Sequence, residues 1–145
     1  MITDVEELAR DAVDCGFKMH ADLGPGLLES VYEAVLAASL ARSGLAVERQ
    51  KIIPIEYDGL ALAEGFRADL LVGGTLIIEI NSVERLTPVH GKQLLTYLRL
   101  AKQPLGLLIN FGAATFREGI KRVVNNHTNF ASSRLRVNQI PQDPA

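Results

Sequence analysis

Apolar and polar positions alternate most regularly in the middle of the chain. Phe66, Ala68, Leu70, Val72, Leu76, Ile78 and Ile80 are all apolar and even-numbered, while Arg67, Asp69, Glu79 and Asn81 occupy odd positions between them. A period of two predicts a pair of strands interrupted at Gly73-Gly74, with one face that packs and one that can carry chemistry. A plain two-residue turn would pair even residues with odd ones, so keeping the apolar set together requires an odd-length loop or a one-residue bulge near the glycines. In that register Asp69 lies across from Glu79. Facing carboxylates repel, and a sheet avoids such a pair unless something positive sits between them, for which a divalent metal is the natural candidate.

The N-terminal third has a different period. Val5, Leu8, Ala12, Met19 and Leu23 recur near helical spacing behind a capping box from Thr3 to Glu6, and Gly24-Pro25-Gly26 ends that helix. A second helix is predicted from about Leu27 to Arg42, with Leu28, Val31, Val35 and Leu36 as its core stripe and Gly44 as its stop. Ile52 to Tyr57 reads as a strand turned back by Asp58-Gly59, and Pro54 within it marks an edge or a bulge because proline donates nothing to a ladder. Beyond the hairpin, Thr87-Pro88 begins a helix to about Leu100, Leu105 to Phe111 forms a buried strand, and Thr115 to Val124 reads as a last helix with Phe116, Ile120, Val123 and Val124 inward. The order predicts an α/β fold, a central mixed sheet with an antiparallel hairpin flanked by helices. Residues 1–124 make one domain, and 125–145, polar and ending Pro-rich, form a loosely held tail that includes His127.

Composition narrows the function classes. The chain has 145 residues, enough for one substantial core, and a net charge of −2 gives no global attraction to phosphate backbones, so any nucleic-acid surface must be local. The single cysteine, Cys15, excludes an internal disulfide and a Cys-rich zinc site. No apolar run reaches membrane-spanning length and the first residues lack the basic start of a secretory signal, which together predict a cytoplasmic protein with no membrane partner. Exposed strand edges on a small domain are compatible with a homodimer.

Four ordered blocks carry a resemblance. Gly26-Leu-Leu-Glu29-Ser-Val-Tyr32 resembles the motif that names the GxxExxY proteins, and Gly65 to Leu71, Leu86 to His90 and Gly106 to Phe111 are similar to its other blocks, so that the likeness runs from about His20 to Val124. That family is similar to the PD-(D/E)xK nuclease superfamily, and the resemblance implies a restriction-endonuclease-like core. It further implies a metal-dependent phosphodiesterase site with Asp69 and Glu79 as ligands of Mg²⁺ or Mn²⁺, Glu29 as a helix-borne acid beside them and a third candidate ligand, and nucleic acid, DNA or RNA, as substrate. It implies a lysine where Asn81 stands, and an acidic residue where Gly91 stands.

The departure at Asn81 matters, because in that chemistry the lysine positions or deprotonates the attacking water while the carboxylates hold the ion. An amide hydrogen-bonds but carries no charge. Lys92 at the start of the third helix and Arg67 on the acid-bearing face are the candidate substitutes. Gln93 and Tyr97 share a helix face with His90 one turn earlier, in the manner of a Gln-xxx-Tyr element bordering the site in relatives of the superfamily. Lys92, Arg99, Arg117, Lys121 and Arg122 could form a local phosphate track or simply solvated helix faces. Each residue also has a structural alternative: Asp69 and Glu79 as members of surface ion pairs, Glu29 as a helix-start charge, Tyr32 as a core aromatic with a satisfied hydroxyl, His90 as a structural histidine near a helix start, and His20 as a cap of the first helix or part of the same pocket. Two readings follow: a Mg²⁺-dependent nuclease, or a catalytically inactive nuclease-fold module that binds nucleic acid or protein.

Overall fold

The computed structural model describes residues 4–126. Helices α1 (Val5–Leu23) and α2 (Glu29–Arg42) precede strands β1 (Val47–Tyr57), β2 (Leu60–Val72) and β3 (Leu76–Asn81). Helix α3 (Pro88–Ala101), strand β4 (Leu105–Asn110), the short helix α4 (Phe116–Gly119) and strand β5 (Ile120–Val124) complete the order. The strands lie side by side in chain order as one five-stranded sheet, antiparallel throughout except for the parallel pair β3–β4, which α3 connects. This is an α/β fold with a mixed sheet flanked by helices, as expected.

Both faces of the sheet are covered. Leu8 and Ala12 of α1 with Tyr32, Leu36 and Leu40 of α2 pack on Leu70, Val72, Leu76, Ile78, Leu107 and Ile109. Leu94, Leu95 and Leu98 of α3 pack on Leu71, Ile77, Leu108 and Val123 from the other side. A parallel pair needs a crossover, and the crossover helix must land on a sheet face, so the odd-numbered face of the hairpin is not free along its whole length. Only its end away from the glycine turn, at Asp69, Glu79 and Asn81, stays partly open.

The hairpin register agrees with the alternation argument: Leu70 pairs with Ile78, Leu71 with Ile77 and Val72 with Leu76 across a three-residue loop. Gly73 and Gly74 both have positive φ, 61° and 73°, which a side chain rarely tolerates. The single apolar face does not run the full length of β2, however. Leu70 and Val72 face α1 and α2, whereas Ala68 and Phe66 pack with the α3 layer. The same change of side occurs in β1 between Val47 and Ile53. It falls where Gln50, with φ 49°, lies between the pairs Arg49–Leu70 and Lys51–Ala68 and therefore opposite Asp69. A left-handed residue in an extended strand re-aims everything beyond it. Pro54 sits on the edge strand and at the register shift between Ile53 and Ile55, so both positions open to a proline apply.

Three other boundaries differ from expectation. The segment Thr115–Val124 is not one helix: four residues of helix give way to β5, because Ile120, Val123 and Val124 are β-branched and β4 offers an unpaired edge. Helix α2 starts at Glu29, so Leu28 lies outside it and is 73 % exposed, and the buried stripe is Tyr32, Glu33, Leu36, Ala37 and Leu40 rather than Leu28, Val31 and Val35. Helix α1 is capped by Asp4, whose carboxylate accepts from the Glu6 N–H at 3.0 Å. Thr3 and His127 lie outside the described residues. Asn125, placed in the tail by composition, is buried and donates to the Leu98 and Gln103 carbonyls. No helix among the described residues is long and apolar enough to cross a membrane.

Candidate functional site

The β2–β3 ladder stops being a ladder at the acids. Where the next backbone pairing would fall, the Asp69 N–H donates to Glu79 Oε2 at 3.0 Å, and the Ile80 N–H donates to Asp69 Oδ2 at 2.7 Å. Each strand's carboxylate thus occupies the backbone donor of the other strand. Glu79 is held on the α3 side of β3 by its parity with Ile77, and the glycine loop sets the register that brings Asp69 opposite it.

The surroundings make this pair electrostatically uncomfortable. Burial first and the Asp69 charge next, with Glu33 and Glu29 acting in the same sense and the N–H bond from Asp69 opposing, push the Glu79 carboxyl up to about 8. Burial also pushes Asp69 up, opposed by its bonds from Ile80 and Gln50, with Glu33 and Glu29 again raising it. No cationic side chain of a described residue is among the strongest influences on either acid. Four carboxylates therefore share one region, Glu33 with Arg49 beside it, and a positive charge placed there would relieve Asp69 and Glu79.

Glu29 is brought to this region. At the first position of α2, it accepts from the Ser82 N–H at 3.3 Å, just past the end of β3, so its side chain is spent on the neighbouring strand and not on its own helix terminus. Asn81 lies at the end of β3 beside Asn110 and forms no side-chain hydrogen bond with another described residue. Tyr97 of α3 stacks on Phe66 with centroids 4.0 Å apart, and its hydroxyl is pushed up by burial and then by Glu79 and Asp69, which puts the ring beside the acids. Gln93, one turn earlier on the same face, is exposed.

Neither expected cation is ion-paired with the acids among the described residues. Lys92 and Arg67 are exposed and neither forms an ion pair with a described residue, and His90 Nδ1 accepts from the Thr87 N–H at 3.0 Å as part of a capping box. The basic track divides because β5 is a strand: Arg122 pairs with Glu6 of α1, while Lys121 projects to the opposite side, where it lies beneath Gly91. A Cβ at Gly91 would stand 3.9 Å from Lys121 Nζ, so the acid implied at that position would have met this lysine. Tyr32 and His20 are structural. The buried Tyr32 hydroxyl donates to the Gly24 carbonyl and accepts from the Leu27 N–H, and its ring stacks on Phe111 at 4.6 Å. His20 Nε2 donates to the Ala113 carbonyl at 2.8 Å.

Glu33, Arg49 and Gln50 belong to the site and were not singled out from the sequence. Glu33 is buried, with Oε2 3.0 Å from Arg49 Nε and Oε1 2.6 Å from Gln50 Nε2, and the same Gln50 nitrogen is 3.3 Å from Asp69 Oδ1. One signal was readable: Glu33 follows Glu29 by four residues and so lies one turn along the same face. The Asp58-Gly59 turn marks the β1–β2 pairing, but that Arg49 and Gln50 reach Asp69 through it has no local signature.

The donor chemistry fits a divalent ion of the hard, oxygen-seeking kind. Asp69 and Glu79 would supply the carboxylates, and Mg²⁺ is commonly bound by one or two carboxylates with the rest of its shell left to water and phosphate. Among the described residues no group of three or more His, Cys, Asp or Glu side chains is placed to hold a metal ion, so Glu29, whose carboxylate accepts from the Ser82 N–H, does not complete a three-acid site with Asp69 and Glu79.

A mixed sheet with an acid pair at the opened β2–β3 junction is consistent with a restriction-endonuclease-like fold. Residues 6–123 match the PD-(D/E)XK nuclease superfamily, and the chain belongs to it. Among curated proteins nothing matches. Among solved structures the crystal structure of SSO0001 is similar at 17% identity and a TM-score of 0.39, covering 91% of this chain and 75% of that one.

Proposed function

We propose that the chain is a Mg²⁺- or Mn²⁺-dependent phosphodiesterase acting on nucleic acid, DNA or RNA, of the GxxExxY branch of its superfamily. The observation that carries this reading is the reciprocal seating of Asp69 and Glu79 in a partly buried region with Glu29 and Glu33 nearby, where no described cationic side chain forms an ion pair with either Asp69 or Glu79. A bound ion would stabilise charge on the phosphoryl group. Asp69 and Glu79 would hold that ion, and the backbone N–H groups of Asp69 and Ile80 fix where the carboxylates' remaining lone pairs point. Glu29 adds negative potential from the start of α2. The Asn81 amide, on the Glu79 side of β3, orients a water or a phosphate oxygen by hydrogen bonding, without adding charge. Tyr97, Gln93, His90, Lys92 and Arg67 line the approach from α3 and β2 and contact substrate.

Calorimetric titration with Mn²⁺ tests it. The native chain should bind the ion, Asp69→Asn should weaken binding by at least about tenfold with the fold intact by circular dichroism, and the ion should switch on cleavage of DNA or RNA oligonucleotides. Absence of Mn²⁺ binding by the native chain would overturn the reading. A second reading is favoured by Asn81 itself: a neutral residue at the lysine position is what a nuclease fold retained only for binding nucleic acid or protein would carry.

A further inference from the structure

We infer that Gln50, backed by Glu33 and Arg49, is a positioning residue that sets the Asp69 carboxylate for metal binding; the inference rests on the metal-site reading above. Carboxylates only accept, so the end of the Gln50 amide that faces Glu33 Oε1 at 2.6 Å and Asp69 Oδ1 at 3.3 Å is the nitrogen, with one hydrogen available for each. This neutral donor stands between two acids that repel. Arg49, 3.0 Å from the other Glu33 oxygen, balances the charge of Glu33 and leaves that of Asp69 unpaired. Asp69 therefore receives one donor on each oxygen, Gln50 on Oδ1 and the Ile80 N–H on Oδ2, which fixes the rotation of its carboxylate while its charge stays available to a cation.

The backbone at Gln50 points the same way. Its φ of 49° lies in the left-handed region, which a residue with a Cβ adopts only at a cost. Glycine would take this conformation freely. A glutamine here adds strain for the chain and supplies a side chain that spans from β1 to both acids. The kink it occupies is also the point where β1 and β2 change sides, so the amide is delivered to Asp69 by the same local geometry that opens the sheet there.

Gln50→Gly separates positioning from support, because it removes the amide and relieves the backbone. Expected results are an unchanged or raised melting temperature together with Mn²⁺ affinity about 10- to 100-fold weaker by calorimetry. Unchanged affinity overturns the inference, and so does a lowered melting temperature, which would make Gln50 a structural residue. If the native chain binds no Mn²⁺, the metal-site reading fails by itself and crystal structures of the native chain and Gln50→Gly decide the clamp. An Asp69 carboxylate that turns away from the Ile80 N–H in the variant supports positioning, and one that keeps its place overturns it.

Discussion

Asp69 and Glu79 each hold the other's strand: the Asp69 N–H donates to Glu79 at 3.0 Å, and the Asp69 carboxylate accepts from Ile80, the residue after Glu79, at 2.7 Å. The arrangement replaces backbone pairing with side-chain acceptors, and it leaves two acids crowded in a buried place. Without an ion that crowding is a stability cost, and its pH dependence has a definite sign.

Glu79 titrates near 4.5 when free and is pushed up to about 8 in the folded chain. The folded state thus binds more protons than the unfolded state between those values, so stability is fully present below the lower value and is lost as pH rises through the upper one. The upward shift of Asp69 adds in the same direction. Urea denaturation of the metal-free protein should show stability falling by on the order of a few kcal/mol from pH 5 to pH 8. Glu79→Gln should remove most of the slope. A slope that survives in this variant would place its source elsewhere.

Asn81→Lys puts an ammonium on Glu79's own face of β3, two residues along the strand. An opposite charge close to a carboxylate favours its ionised form, so the pH slope above should flatten, and Mn²⁺-dependent cleavage should rise by about tenfold or more if the missing cation limits hydrolysis. Oligonucleotide cleavage rates of the native chain and the variant decide between the two functional readings. An inert native chain with an active variant identifies a nuclease fold that has lost hydrolysis, whereas equal rates mean that the Asn81 amide suffices.

Much of the fold was legible because it is written in short-range patterns. The glycine loop and the parity of Leu70, Val72, Leu76 and Ile78 determine the hairpin register, and that register alone places Asp69 opposite Glu79. The Thr87-Pro88 start of α3 and the Asp58-Gly59 turn are equally local. What was missed depends on partners remote in sequence. Ile120 to Val124 can sit in a helix or a strand, and only the open edge of β4 makes it a strand. Arg49 and Gln50 are two polar residues in a polar stretch until β1 pairs with β2 and α2 brings Glu33 over them.

Tyr32 illustrates a motif residue whose work is structural. Its hydroxyl donates to the Gly24 carbonyl at 2.5 Å and accepts from the Leu27 N–H at 3.2 Å, tying the Gly24-Pro25-Gly26 loop to the first turn of α2 that carries Glu29. Tyr32→Phe keeps the ring stacked on Phe111 but leaves those two backbone groups to find water. A loss of about 1–3 kcal/mol is expected in urea denaturation. Mn²⁺ affinity should fall by less than about threefold, since Asp69 and Glu79 are held by other bonds. A larger fall would show that the loop helps to place Glu29 over the acids.

Gly119 tests the turn that converts α4 into β5. Its φ is not in the left-handed region, so conformational freedom is not what glycine supplies. It supplies space: a Cβ there would stand 2.1 Å from the Asn110 backbone oxygen, far inside contact distance and against main chain rather than a movable side-chain tip. Asn110 cannot give way easily, because it is buried and its amide both donates to the Val83 carbonyl and accepts from the Val83 and Gly112 N–H groups. Gly119→Ala should therefore destabilise by roughly 1–3 kcal/mol or more, the range of overpacking changes. Gly44→Ala is the control. Gly44 has φ 90° and open space around it, so its substitution tests backbone conformation alone. If Gly119→Ala costs no more than Gly44→Ala in urea denaturation, the close approach of α4 to β4 is not what fixes the end of the sheet, and β5 owes its place to the pairing of Val123 and Ile120 with β4.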